Sequence, residues 1–295
     1  MDTDLSRLLH EQGGVATSGQ ILDRVTRHAF DRLVGDGSLV RMWQGIYCLG
    51  EPTQAMRLLG LDLSSGATVA VCLGTAAGWY TFDTEDTTAL HVVNPASRQL
   101  RPAEGLVVHR RDGAPLRIVD GRPATTPTWT AVEVARSLHR PRALATLDAA
   151  LRSETCTRAG LWRAATEQAG RRGIIAVRDL LSLADARAES PMESELRLVV
   201  LDGGLPAPEL QYEVHDVDGR LWRLDLAWPD QRVAVEYDGM EWHEGADALR
   251  RDRVRQEALR DIGWTVLRVV YDDVRYRPFE IVGRIGRELT RARAA

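Results

Sequence analysis

Residues 221–243 read LWRLDLAWPDQRVAVEYDGMEWH. Two runs of alternating or β-branched residues, Leu221–Trp228 and Val233–Asp238, flank a Pro-Asp-Gln-Arg loop, a pattern that predicts a β-hairpin. Side chains along a strand switch faces with period two. That count puts Arg223, Asp225 and Ala227 on one face, with Trp222, Leu224, Leu226 and Trp228 on the other. In the second strand Ala234, Glu236 and Asp238 share a face, opposite Val233, Val235 and Tyr237. Pro229 is preset for the second position of a type I turn, so Trp228 faces Val233 and Asp225 falls across from Glu236. Asp225, Glu236 and Asp238 then converge on one face of a strand pair whose other face is apolar. Like charges placed opposite each other repel, whereas converging oxygens suit a hard divalent cation such as Mg²⁺ or Mn²⁺. The alternative is that Arg223, across from Asp238, neutralises a solvated face.

The pattern Asp225 … Glu236-Tyr237-Asp238-Gly239 … His243 resembles the PD-(D/E)XK nuclease superfamily. Within it, the stretch is similar to a bacterial domain of unknown function related to the very-short-patch repair endonuclease. The resemblance covers about residues 190 to 290 and extends to Glu193, Gln211, Asp252 and Arg255. It implies a restriction-endonuclease-like α/β fold and a Mg²⁺-dependent endonuclease, in DNA repair or phage defence. It makes Asp225, Glu236 and Asp238 the metal ligands and adds Glu193, His243, Asp252 and Arg255 to the catalytic group. One departure stands out: the superfamily's lysine is replaced by Asp238, and the chain has no lysine, all 38 basic residues being arginine. His243 is the neighbour whose proton affinity suits chemistry near neutral pH.

With 295 residues, 44% hydrophobic and 27% charged, the chain has the composition of a soluble globular protein with room for two or three domains. No apolar run approaches a membrane span, and the start, MDTDLSRLLHEQ, is unlike a signal peptide. Cys48, Cys72 and Cys156 are scattered, which argues against a zinc ribbon or a disulfide framework and fits a reducing cytoplasm. The formal net charge of −4 lacks the basic excess of many nucleic-acid binders, so any DNA contact rests on local arginine patches.

Residues 1–50 form the first unit. Leu5, Leu8 and Leu9 make a helix face that ends at Gly13-Gly14, and Thr17 with Gln20 forms a capping box opening a second helix with Ile21, Leu22 and Val25 inward. Thr26 caps a third helix carrying Ala29, Phe30, Leu33 and Val34, closed by Gly35-Asp36-Gly37, and a hairpin over 39–49 follows. Three helices and a hairpin are the parts of a winged helix, whose third helix enters the DNA major groove. The exposed candidates are Arg24, Arg27, His28 and Arg32, with Arg41 on the wing. The alternative is a small protein-interaction domain of the same shape. The stretches GGVAT (13–17) and WQGIY (43–47) resemble the N-terminal domain of AbiEi-type antitoxins, which implies a cognate toxin as partner.

Residues 51–189 read as an α+β middle domain. Strands are expected at Val69–Leu73, Ala89–Val93 and Leu106–His109, and helices over 75–80, 129–138, 143–152, 158–169 and 174–186. HVVNP (91–95) and VVHRR (107–111) place this segment beside the C-terminal part of AbiEi-like antitoxins. Asp148 and His139 stand alone on helices with no catalytic partner in view.

Residues 190–295 form the nuclease-like domain. Ser190, Pro191 and Glu193 make a capping box, which explains Glu193 structurally, while the resemblance has it reach the metal site. Glu195 reads as solvated. The helix Ala246–Ile262 carries Asp252 and Arg255 on its apolar stripe, either as a buried pair or pointing over the sheet at the carboxylates. Arg250, Arg251 and Arg253 line its other side. A strand over 264–271 and a helix over 279–290 complete the α/β unit. Two functions stay open: a DNA-binding protein with a Mg²⁺-dependent endonuclease, or a non-enzymatic antitoxin-like transcriptional regulator on a degenerate nuclease fold.

Overall fold

The computed structural model describes residues 2–82, 88–96, 99–111, 113–239 and 246–294. Contacts divide the chain into two compact units, Met1–Trp79 with Asp86–Thr130 and Tyr80–Glu85 with Ala131–Ala295. This division is coarser than the three segments read from the sequence.

In the first unit Asp2 caps α1 (Thr3–Glu11), which buries Leu5 and Leu9. Gly13 and Gly14, at φ +63° and +84°, turn the chain into β1 (Val15–Thr17). The Thr17–Gln20 capping box opens α2 (Ser18–Leu22), and the Thr26 hydroxyl accepts the Ala29 N–H at the start of α3 (Arg27–Gly35). β2 (Val40–Trp43) and β3 (Ile46–Cys48) complete an antiparallel sheet in the order β1-β3-β2. The three helices and the hairpin lie where the periodicity put them. Three-residue β1 went unseen because it is too short to show alternation. α2 stops at Leu22 instead of running through Val25, whose side chain still packs on the helical core.

Thr53 and the left-handed Gly66 bracket α4 (Gln54–Ser65), and α5 (Leu73–Trp79) follows. β4 (Leu90–Val93) pairs in parallel with β5 (Leu106–His109), while β6 (Leu116–Val119) and β7 (Arg122–Thr125) form a hairpin. The strand expected over 69–73 shrinks to one residue: Val71 bridges Val92 and Ala124, and Leu73 at φ +46° turns the chain into α5. Arg122 holds α4 to this layer through both carboxylate oxygens of Asp62, at 2.9 and 2.6 Å. α6 (Pro127–Ala135) carries the division between the units.

The second unit begins with α7 (Arg140–Arg152), α8 (Arg158–Glu167), α9 (Ile174–Leu183) and α10 (Pro191–Asp202). A four-stranded sheet follows: β8 (Glu209–His215), β9 (Leu221–Trp228), β10 (Val233–Tyr237) and β11 (Thr265–Val269), in the order β11-β10-β9-β8. β10 and β11 run parallel and the other pairs antiparallel. α11 (Ala246–Asp261) precedes β11, and α12 (Tyr271–Tyr276) and α13 (Pro278–Ala294) close the chain. Both faces of this sheet are covered. Leu226, Trp228, Val233, Val235 and Val269 pack with Leu196 and Val200 of α10 and Ile281, Ile285 and Leu289 of α13. Trp222, Leu224, Ala227 and Ala234 pack with Leu259 of α11 and Trp264.

Two acids expected to be solvated or isolated are buried in ion pairs. Asp148 on α7 is fully buried, accepts Arg197 Nη2 of α10 at 2.6 Å and accepts the Asp185 N–H at 2.7 Å. Burial pushes its carboxyl up and the Arg197 charge pulls it back. Glu195 is 1% exposed and lies 2.6 Å from Arg275 of α12 and 3.7 Å from Arg142 of α7. The correction follows from α10 being clasped on two sides, which its own periodicity does not reveal. Removing one partner of a buried pair leaves a lone charge, so Arg197→Ala is expected to cost about 3–5 kcal/mol. Urea unfolding checks this; a loss under about 1 kcal/mol would make the pair dispensable.

Candidate functional site

The hairpin has the register expected of it: Trp228 faces Val233, Ala227 faces Ala234 and Leu226 faces Val235. The ladder then stops. Where Asp225 would face Glu236, its Oδ2 instead accepts the Tyr237 N–H at 2.9 Å, so a side chain stands in for a backbone carbonyl. The strand also changes face here, since Trp222 and Leu224 lie in the α11-side core while Leu226 and Trp228 lie in the α10-side core. The pairing of β8 with β9 skips the same place, between Leu210↔Leu226 and Tyr212↔Leu224. The residue skipped on β8 is Gln211, left-handed at φ +51°. Trp222, Leu224, Leu226 and Trp228 therefore do not share one face. The period-two count presumes an unbroken strand, and the irregularity at Gln211 and Asp225 breaks it.

This break gathers three carboxylates. Glu193, 8% exposed near the start of α10, accepts the Glu189 N–H at 2.9 Å and Gln211 Nε2 at 2.8 Å through Oε2. Its own N–H donates to Ser190 Oγ at 3.1 Å. One residue thus serves both the helix start and the site. Asp225 is pushed up to about 6, by burial first and then by the charges of Glu193 and Glu236, against the Tyr237 N–H and Arg255. Glu236 accepts a hydrogen bond from Arg255 Nη2. The same guanidinium donates to the Arg223 carbonyl at 2.7 Å and lies 5.3 Å from the centre of the Trp222 ring.

The other candidates are arranged differently. Asp238 is half exposed and lies 3.6 Å from Arg268, which bonds to Asp252 at 2.8 Å. Asp252 and Arg255 do not pair with each other: the acid goes to Arg268 of β11 and the arginine to Glu236 of β10. Arg223 bonds to Glu189 at 2.6 Å rather than facing Asp238, because the change of face turns it toward the start of α10. Glu189 and Arg268 escaped the sequence reading, although an arginine within the apolar run VLRVV was a usable signal. His243 lies outside the described residues. Arg250, Arg251 and Arg253 are exposed on α11.

The donor chemistry fits a hard divalent cation: all oxygen, mutually repelling, and with one oxygen of each carboxylate left without a hydrogen bond among the described residues. The set is not a closed cage. Among the described residues no three His, Cys, Asp or Glu side chains group closely enough to hold a metal ion by themselves.

In the first unit Arg24, Arg27, His28, Arg32 and Arg41 are all exposed. Arg27, His28 and Arg32 lie on α3, Arg24 donates back to the Gln20 carbonyl at 2.9 Å, and Arg41 lies on β2.

Residues 69–183 match the family described as the AbiEi antitoxin C-terminal domain, and residues 209–289 match the restriction endonuclease-like family REase_MTES_1575. Proteins from two strains of Mycobacterium tuberculosis, both named as uncharacterized, are 54% identical over 271 residues, 92% of this chain and 100% of each of theirs. The chain belongs to their family. It joins an AbiEi antitoxin C-terminal domain to a C-terminal restriction endonuclease-like domain. No helix among the described residues is long and apolar enough to cross a membrane.

The raised Asp225 sets a pH dependence. A carboxyl at about 6, against an ordinary 3.8, binds its proton more tightly in the folded chain. Stability therefore falls as pH rises from about 4 to 6, and the charging cost is fully present above that window. Asp225→Asn keeps an oxygen for the Tyr237 N–H and removes the charge. It is expected to be about 1–3 kcal/mol more stable than the wild type at pH 7, with no advantage below about pH 4. Melting curves across that range test this, and equal stability at pH 7 would show that the carboxylates do not strain the fold.

Proposed function

We propose that the C-terminal domain is a divalent-cation-dependent phosphodiesterase acting on DNA, tethered to a DNA-binding winged helix. The observation that carries this reading is Asp225, set in a half-buried gap with Glu193 and Glu236 near it, its carboxyl pushed up to about 6 by burial first and by those two charges second. A purely structural site gains nothing from three repelling acids. Asp225 with one of its two neighbours, Glu193 or Glu236, would lend oxygens to the cation, water and phosphate completing its sphere, and the cation when bound supplies a more acidic water and offsets charge on the phosphate. Gln211 and the Glu189 N–H fix Glu193, and the Tyr237 N–H fixes Asp225. Arg255, paired with Glu236, has the planar fork suited to a phosphate oxygen. Asp238 and Asp252, shared with Arg268, form the rim of the site in this reading.

One observation favours a second reading, an antitoxin-like regulator that binds its own promoter and a cognate toxin. Arg255 already supplies a cation to Glu236, and no lysine is present to assist a nuclease. The AbiEi match is the support for a toxin partner.

Cation binding to the folded state alone stabilises it by about 2.7 kcal/mol at a hundredfold excess over Kd. Mg²⁺ or Mn²⁺ is expected to raise the melting temperature of the wild type and not of Asp225→Asn, and to support cleavage only in the wild type. No shift in either protein would retire the nuclease and leave the regulator.

DNA binding is tested separately on the full chain. Affinity for duplex DNA is expected to fall steeply with salt, and Arg27→Ala and Arg32→Ala each to weaken it. Unchanged gel-shift affinity in both variants would remove α3 from the interface.

A further inference from the structure

The second unit leaves three large aromatic rings in water within nine residues of one another. Tyr271 is 44% exposed, Tyr276 72% and Phe279 90%. Isolated exposed rings are ordinary, whereas exposed rings gathered along one short stretch suit a binding surface. Tyr271 and Tyr276 contact each other edge to face at 6.2 Å, and the Arg275 guanidinium lies 5.4 Å from the centre of the Tyr271 ring. Arg275 is itself held by the buried Glu195. Between the rings Val274 is buried, and Ile281, just past Phe279, is buried too, so the backbone beneath them is fixed by the core.

The cluster follows from the same sheet end as Glu236 and Asp238. β10 and β11 are parallel, and the Asp238 N–H bonds the Val269 carbonyl at 2.8 Å, so the two strand ends are tied together. Glu236 and Asp238 leave one end, and Tyr271 follows two residues beyond Val269 on the other. Ligands of open α/β sheets bind off the carboxyl ends of parallel strands. Residues 264–294 also carry seven arginines against four carboxylates, in a chain whose formal net charge is −4. Arg275 and Arg277 alternate with the rings, Arg277 paired with Asp273 at 2.8 Å, and guanidinium groups beside exposed rings suit an anionic chain of planar groups better than an apolar protein surface. A duplex hides its base faces in the stack, and only an unpaired base offers one to a tyrosine or phenylalanine.

We infer that the corner of α12 and the start of α13 is a stacking platform for unpaired bases, so that the DNA presented to the carboxylate site contains a single-stranded stretch. The inference rests on the nuclease reading for its position beside the site, but it has its own test.

The full-length protein is mixed, in the presence of a chelator, with a fluorescent thymidine oligomer of about 20 nucleotides or with a duplex of that length, and binding is read by anisotropy. The double variant Tyr276→Ala/Phe279→Ala, at two exposed positions, is expected to lose roughly tenfold or more in affinity for the oligomer. Its duplex affinity and melting temperature are expected to stay those of the wild type, and Tyr276→Phe to retain binding. Wild-type affinity for the oligomer in the double variant would overturn the platform, as would an equal loss on oligomer and duplex. So would a wild type that does not bind the oligomer, leaving the rings to a protein partner. A protein that binds the oligomer through these rings but cuts nothing with Mg²⁺ keeps the platform and loses the nuclease.

Discussion

The C-terminal domain turns on one hydrogen bond, from the Tyr237 N–H to the Asp225 carboxylate. At that point in a regular hairpin a carbonyl of the neighbouring strand would be the acceptor. A backbone N–H left unpaired in a partly buried strand is costly, so once β9 turns away the carboxylate is what keeps β10 satisfied. The same turn lets β9 serve two cores, sending Trp222 and Leu224 to α11, and Leu226 and Trp228 to α10 and α13. Gln211 makes the matching adjustment on β8, and its left-handed backbone is stabilised by the bond from its side chain to Glu193. Strain, face change and carboxylate cluster are one feature seen from three sides.

The electrostatics follow from that geometry. A carboxylate that must sit in a half-buried gap between strands is already short of water, and Glu193 and Glu236 add repulsion. Arg255 relieves Glu236, and Gln211 with the Glu189 N–H relieves Glu193. Asp225 has one neutral N–H donor and carries the residue of the imbalance. Asp238 and Asp252, by contrast, are about half exposed and share a partly buried Arg268 at little cost to themselves, because pairs with an exposed partner are worth at most about 1 kcal/mol. Burial, more than the number of nearby acids, separates the strained cluster from the solvated one.

What the sequence revealed and what it hid divide along local and nonlocal lines. The register of the hairpin was legible because a four-residue turn determines which residues meet. Helix starts at Thr17, Thr26 and Ser190 were legible because a capping side chain bonds within its own turn. The faces of β9 were not, because the break depends on a left-handed residue that is not glycine, on a strand the pattern did not mark. Glu195 read as solvated because the arginines that bury it come from α7 and α12, 53 residues before it and 80 after. Arg223 was assigned to Asp238 by counting along a strand that does not stay regular.

The absence of lysine gives the site a particular chemistry. A guanidinium stays charged at any pH a folded protein meets, so Arg255 and Arg268 supply fixed charge and directed donors and cannot take up or release a proton. A lysine in the same gap would titrate with its surroundings. Among the described residues of the cluster, the group whose proton equilibrium has been moved toward neutrality is therefore a carboxyl, Asp225. Burial moves it first and the charges of Glu193 and Glu236 move it further, and Gln211, the Tyr237 N–H and Arg255 are what hold that arrangement. A chain that fills every basic position with arginine can still place a titrating group at this site, provided the fold buries a carboxyl there beside other acids.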